Sequence, residues 1–137
     1  FDMELDMVFP ADMAPTKEYL AELDARNVRY HLQKDVRECI ENADVIYMEP
    51  VVQADYTKAR IDADSAKKGL TPPEFKVTRE LMRDKAKTDS IILHSLPRMD
   101  ELPLDVDNTR HSRMWIEAFN GVVLRMALLA LVLGKME

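Results

Sequence analysis

At 137 residues, with 47% apolar and 32% charged residues, the chain can build one ordinary domain with a real core and is not of disordered composition. Lys and Arg total 19 against 25 Asp and Glu, a net charge of −6, which argues against general nucleic-acid binding but leaves room for one locally basic pocket. Cys39 is the only cysteine, which excludes an internal disulfide and makes a reducing cytoplasm the expected compartment.

The opening FDMELDMVFP carries acids where a signal peptide carries bases, and reads as the start of a piece of something longer. Within it, residues 3–9 (MELDMVF) form a strand pattern that ends before Pro10. Residues 15–27 place Tyr19, Leu20 and Leu23 on one helical face, with Pro15 acceptable in the first turn. VRYHL (28–32) alternates as a strand does, and 35–43 reads as a short helix with Val36, Cys39 and Ile40 on one side. DVIYM (44–48) and SIILH (90–94) are short, apolar and β-branched, the pattern of strands buried on both faces. Strands alternating with helices of this size predict an α/β fold: a parallel sheet with helices on both faces, Rossmann-like in layout.

Two stretches resist the alternation. Residues 49–69 are polar and strongly charged and predict a long excursion beyond a strand end, part of it helical. In TPPEFKVTRELMRDKAK, Thr71 with Glu74 and Pro72 fits a helix start, while FKVT fits a short strand before a helix over 78–87. Residues 114–134 form the one candidate membrane segment. Glu117, Asn120 and Arg125 interrupt it, so a helix buried on most sides of a globular protein is the expectation and no membrane partner is expected.

Ligands of open parallel sheets bind beyond the C-terminal ends of the strands. Two predicted strands end in unusual polar text, DVIYM before EPVVQ and SIIL before HSLPR. If those strands are neighbours, both loops border one crevice. Only three glycines, widely scattered, disfavour a dinucleotide or P-loop site. In HSLPR, Pro97 can lock a tight turn, with a cis Leu96–Pro97 bond as one option, and aim the carbonyls of Ser95 and Leu96 at an amino group. Arg98 either serves an anion or pairs with Asp100 or Glu101. His94 is either an acid–base group or a hydrogen-bonded structural histidine at a strand end. His31 and His111 lack partners at metal-ligand spacing, and Asp105 and Asp107 do not match a calcium loop, so no metal is expected and a solvated or capping role is expected for those acids. Cys39 reads as inert core. Gln53, directly after the strand 44–48, is neutral and suited to hydrogen-bonding a substrate carboxylate.

The stretch 90–134, LHSLPRMDELPLDVDNTRHSRMWIEAFNGVVLRMALLALVLG from Leu93 on, resembles the C-terminal part of aspartate carbamoyltransferases. That family reads H-P-L-P-R-x-D-E, then D-V-D-x-T-x-H, then N-G-x-x-x-R-x-A-L-L-A-L-V-L. His94 to Glu101, Asp105 to His111 and Asn120 to Leu133 follow these patterns with one change, and ADVIYMEPVVQ is similar to the segment leading to the family's aspartate-binding loop.

The resemblance implies most of an aspartate-binding α/β domain over 1–111 and, over 112–137, an apolar C-terminal helix that packs back on a carbamoyl phosphate domain absent from this chain. It implies transfer of a carbamoyl group from carbamoyl phosphate to the amine of L-aspartate, in pyrimidine biosynthesis, without cofactor or metal, in a trimer of catalytic chains. Ser95, Leu96 and Pro97 would lie at the carbamoyl group, with the Leu96 carbonyl accepting from its amide nitrogen, and Gln53 would face the aspartate. His94, Arg98, Asp100 and Glu101 would support the loop. The resemblance places no catalytic group in this chain with certainty, since the histidine that polarises the carbonyl belongs to the absent domain. Two departures stand out: Ser95 replaces the family's proline, and Val51 stands where the family usually has an arginine that grips the aspartate carboxylate.

Overall fold

The computed structural model describes residues 2–51 and 71–135. Four strands and three α-helices follow in the order β1 (Glu4–Val8), α1 (Lys17–Ala25), β2 (Arg29–Gln33), β3 (Val45–Met48), α2 (Arg79–Lys85), β4 (Ile91–His94) and α3 (Met114–Val132). Among the described residues the strands pair in parallel as β1–β2 and β3–β4. The parallel α/β class read from the sequence is therefore the observed one.

The first pair is a compact β–α–β unit. Thr16 caps α1, its hydroxyl accepting from the Tyr19 amide at 3.2 Å. The helix stops at Asn27, which takes the left-handed conformation (φ 54°) that asparagine tolerates better than most residues. Polar side chains fix the register of the strands: Glu4 meets His31 at 2.6 Å, Asp2 meets Arg29 at 2.9 Å and Asp6 meets Gln33 at 3.1 Å. A one-residue slip would separate all three pairs. On α1, Leu23 is buried and Leu20 half-buried, whereas Tyr19 is exposed, because the nine-residue helix rests on a narrower strip than its apolar face offers.

The core lies under the second strand pair. Ile46, Met48 and Ile92 meet Val36, Ile40, Val77, Met82, Leu102, Val106 and Met114. Val36 and Ile40 join this core and Cys39 is buried outside it, all from a 3₁₀ turn (Val36–Glu38) and following turns and not from one side of an α-helix over 35–43. Asp35 explains the difference, since its carboxylate accepts from the Arg37 amide at 2.8 Å and closes a tight turn. Cys39 is buried, and burial, reinforced by Asp6, Glu38 and Asp35, pushes its thiol up to about 11.

Three further expectations need correction. β3 is buried on one face only: Ile46 and Met48 point inward while Val45 and Tyr47 are more than half exposed. An apolar strand sequence reads the same whether or not a second layer covers it. Residues 76–77 are not a strand. The chain passes through a 3₁₀ turn (Pro73–Phe75), the Val77 amide donates to the Glu101 carbonyl at 2.9 Å, and α2 begins after the Thr78 cap, close to the 78–87 alternative. Finally, α3 is not buried on most sides. Only Met114 is buried, while Trp115, Phe119, Leu124, Leu129 and Val132 are among its exposed apolar residues. It is long and apolar enough to cross a membrane by length and composition. Its root is nonetheless tied to the sheet, because Ile92 donates to the His111 carbonyl at 2.8 Å and accepts from the Arg113 amide at 3.0 Å. The excursion predicted over 49–69 falls almost entirely outside the described residues.

Candidate functional site

β3 and β4 are neighbours in register, Met48 beside His94, so their C-terminal ends open side by side. The loops that leave them are joined directly, since the Ser95 hydroxyl donates to Glu49 Oε2 at 2.7 Å. The two strand ends expected to border one crevice are thus neighbours, while Val52 and Gln53 of EPVVQ lie outside the described residues. Glu49 was not anticipated there, although an acid placed directly after an apolar strand was the available signal.

HSLPRMDE forms a turn in which nearly every polar group has a separate anchor. The Leu96–Pro97 peptide is cis and Leu96 has φ 57°, a left-handed conformation that costs a residue with a Cβ about 1–2 kcal/mol. His94 holds it there. The Leu96 amide donates to His94 Nδ1 at 2.8 Å, which requires a lone pair on Nδ1 and so places the ring proton on Nε2. Nε2 in turn donates to Glu101 Oε1 at 2.8 Å, and both side chains are fully buried. The same Oε1 accepts from the Met99 amide at 2.8 Å, while Oε2 has no partner among the described residues. With both ring nitrogens engaged, His94 is the structural histidine of the two alternatives. Its own amide donates to Glu117 Oε2 at 2.9 Å. In the sequence Glu117 reads only as an interruption of a membrane span, yet a lone acid near the start of an apolar helix is the signal of a specific partner.

Arg98 pairs with neither Asp100 nor Glu101. Its guanidinium grips both oxygens of Asp107, one of them at 2.8 Å from Nη2, and touches Met114 Sδ at 3.4 Å. Asp107 is thus an ion-pair partner and not a solvated or capping acid. Hydrogen bonding from Arg98 is the main reason its carboxyl sits below the usual range, against an opposing contribution from burial. Spacing from Arg98 favoured the nearer acids, but the 3₁₀ turn Leu104–Asn108 brings Asp107 back to the loop. Asp100 turns the other way. It accepts from the Thr71 amide at 3.0 Å, the Thr71 hydroxyl at 2.8 Å and Lys76 Nζ at 2.9 Å. Burial alone would raise its carboxyl, but the bonds from Lys76 and Thr71 outweigh it and hold it low. Thr71 therefore anchors the loop and does not start a helix.

The loop is clamped at five places: to β3 through Glu49, to α3 through Glu117, to 71–77 through Asp100 and the Glu101 carbonyl, to Leu104–Asn108 through Arg98, and internally through His94. No hydrogen bond from the described residues reaches the Ser95 or Leu96 carbonyl. The turn thus presents two backbone acceptors on a rigid support, suited to an N–H-bearing ligand. Gln53 lies outside the described residues.

Comparison with known proteins is consistent along the chain. The family described as Aspartate/ornithine carbamoyltransferase, Asp/Orn binding domain, matches residues 1–132. The aspartate carbamoyltransferase catalytic subunit of Methanosarcina mazei is 34% identical over 137 residues, all of this chain and 42% of that protein. The protein of the same name from Methanopyrus kandleri is 31% identical over 134 residues, 98% of this chain and 41% of its own length. Among solved structures, the catalytic subunit of M. jannaschii aspartate transcarbamoylase superposes with a TM-score of 0.76 at 26% identity, covering 97% of this chain and 42% of that one. That coverage leaves about four residues outside, so most of the 19-residue α3 lies within the shared fold. The chain spans about two fifths of the length of the curated relatives it matches. This chain belongs to the aspartate/ornithine carbamoyltransferase family, in the part described as its Asp/Orn binding domain.

Proposed function

We propose that the chain is the amino-acid side of an enzyme that transfers a carbamoyl group from carbamoyl phosphate to the α-amine of L-aspartate, giving N-carbamoyl-L-aspartate and phosphate for pyrimidine synthesis in the cytoplasm. The observation that carries the reading is the HSLPR turn, whose Ser95 and Leu96 carbonyls accept from no donor among the described residues, at the C-terminal edge of two parallel strands. The names of the relatives and the family description support the acceptor class.

Attack of an amine on a carbamoyl carbon needs two groups held in line and a developing oxyanion stabilised. The Leu96 carbonyl accepts from the carbamoyl amide nitrogen and fixes its plane, Ser95 and Pro97 shape the turn, and Gln53 meets the aspartate carboxylate. His94, Arg98, Asp100 and Glu101 act one step back, by holding the turn. Groups that grip the phosphate and polarise the carbonyl come from a carbamoyl phosphate domain outside this chain. α3 packs its apolar surface against that domain, and catalytic chains assemble as a trimer. No cofactor or metal enters the reaction.

A second reading has its own support. Val51 stands where an aspartate-gripping arginine is expected, and the family description covers ornithine as well as aspartate. The enzyme would then use another amino acid. Initial rates with aspartate, ornithine and their acylated derivatives, for the chain joined to a carbamoyl phosphate domain, separate the two. Preference for aspartate by about tenfold or more supports the first reading. Preference for another acceptor replaces it with the second, and turnover with none removes both.

A further inference from the structure

The opposite end of β4 carries a concave surface. α2 and the segment 108–111 enclose a cleft of about 270 Å³, close to the lower limit for small-ligand sites. Arg79, Arg83 and Arg110 line it, and no acidic residue does so among the described residues. In a chain of net charge −6 this is a local reversal of sign. Arg83 shares its guanidinium with Asp84, whereas Arg79 and Arg110 have no carboxylate partner among the described residues. Met82 and Ala86 supply an apolar floor.

His111 also lines this cleft and is buried. Its Nδ1 lies 2.9 Å from the Ser90 carbonyl oxygen, which can only accept, so Nδ1 carries the proton. Nε2 is left as the ring's one remaining polar atom, able to meet a ligand oxygen. Three guanidiniums call for more than one negative charge, the fork geometry of arginine suits phosphoryl or carboxylate oxygens, and the floor calls for an organic body. A phosphomonoester answers these requirements: it carries close to two negative charges at neutral pH, three acceptor oxygens for the arginine forks and an organic body for the floor.

We propose that this cleft, walled by Arg79, Arg83, Arg110 and His111, is a binding site for a small organic phosphomonoester. Ligands of parallel sheets usually sit at the other strand ends, so the site suits an effector better than a reactant.

The test follows the His111 ring signals of the 137-residue chain by NMR during titration with phenyl phosphate, phenyl sulfate and inorganic phosphate at pH 6.5. Phenyl phosphate should bind about tenfold more tightly than phenyl sulfate, which carries a single negative charge, and more tightly than inorganic phosphate, which lacks the ring. Arg79→Ala and Arg110→Ala should each weaken it about fivefold or more, without altering the spectrum of the free chain elsewhere. Equal affinity for phosphate and sulfate esters, equal affinity for inorganic phosphate, indifference to both substitutions, or no shift at about 20 mM ligand would each overturn the proposal.

Discussion

His94 and Glu101 show how little freedom a single pair has in this loop. Glu101 Oε1 accepts from both His94 Nε2 and the Met99 amide inside a fully buried site. Glu101→Gln keeps a carbonyl oxygen for both donors and should cost little, about 1 kcal/mol. Glu101→Leu leaves two buried N–H groups without partners and should cost about 3 kcal/mol or more. Urea unfolding of the two variants measures the gap, and equal losses would show that the pair does not carry the turn. This network was hardly legible in the sequence. HSLPRMDE announced itself through its density of polar residues, and the wish of Pro97 for a turn was plain. Which acid met which base was not, because Asp107, Thr71 and Glu117 reach the loop from separate elements, and spacing along the chain says nothing about such distances.

At the scale of elements, local pattern served well where local physics decides. β1, α1, β2, β3, β4 and α3 all fall within two or three residues of their expected bounds, because apolar periodicity is a short-range signal. Residues 35–43 and 71–77 went otherwise. There Asp35 and Asp100 bind backbone amides and replace helix or strand with tight turns, a competition that apolar spacing cannot register. The turn Leu104–Asn108 owes its place to Asp107, and acid should expose that dependence. The folded-state carboxyls of Asp100 and Asp107 both lie below their ordinary value of 3.8. Stability from a depressed carboxyl is complete above the unfolded value and is lost as pH falls through the folded one. Unfolding free energy should therefore hold steady above about pH 5 and fall below pH 3.8. Asp107→Asn should already be weaker at neutral pH, by about 3 kcal/mol since Arg98 is left half-buried and unpaired, and should lose less on acidification. An unchanged acid limb in that variant would contradict the assignment.

For the whole molecule, two open surfaces dominate. α3 exposes a run of large apolar side chains from Trp115 to Leu133, and Val45 with Tyr47 leaves one face of β3 uncovered. A monomer rarely leaves so large an apolar area to water. The same chain covers about two fifths of its relatives' length and matches an amino-acid-binding domain by family. On this account the HSLPR turn is one wall of a centre whose other wall lies on a second domain, and α3 is the strut between them. The most direct measurement is carbamoyl transfer to aspartate by the purified chain, first alone and then with the carbamoyl phosphate domain of an aspartate carbamoyltransferase bound to it. The chain alone should give no product, and the complex should give N-carbamoyl-L-aspartate. Turnover by the chain alone, or an intact complex that makes no carbamoylated product from any amino acid, would contradict it.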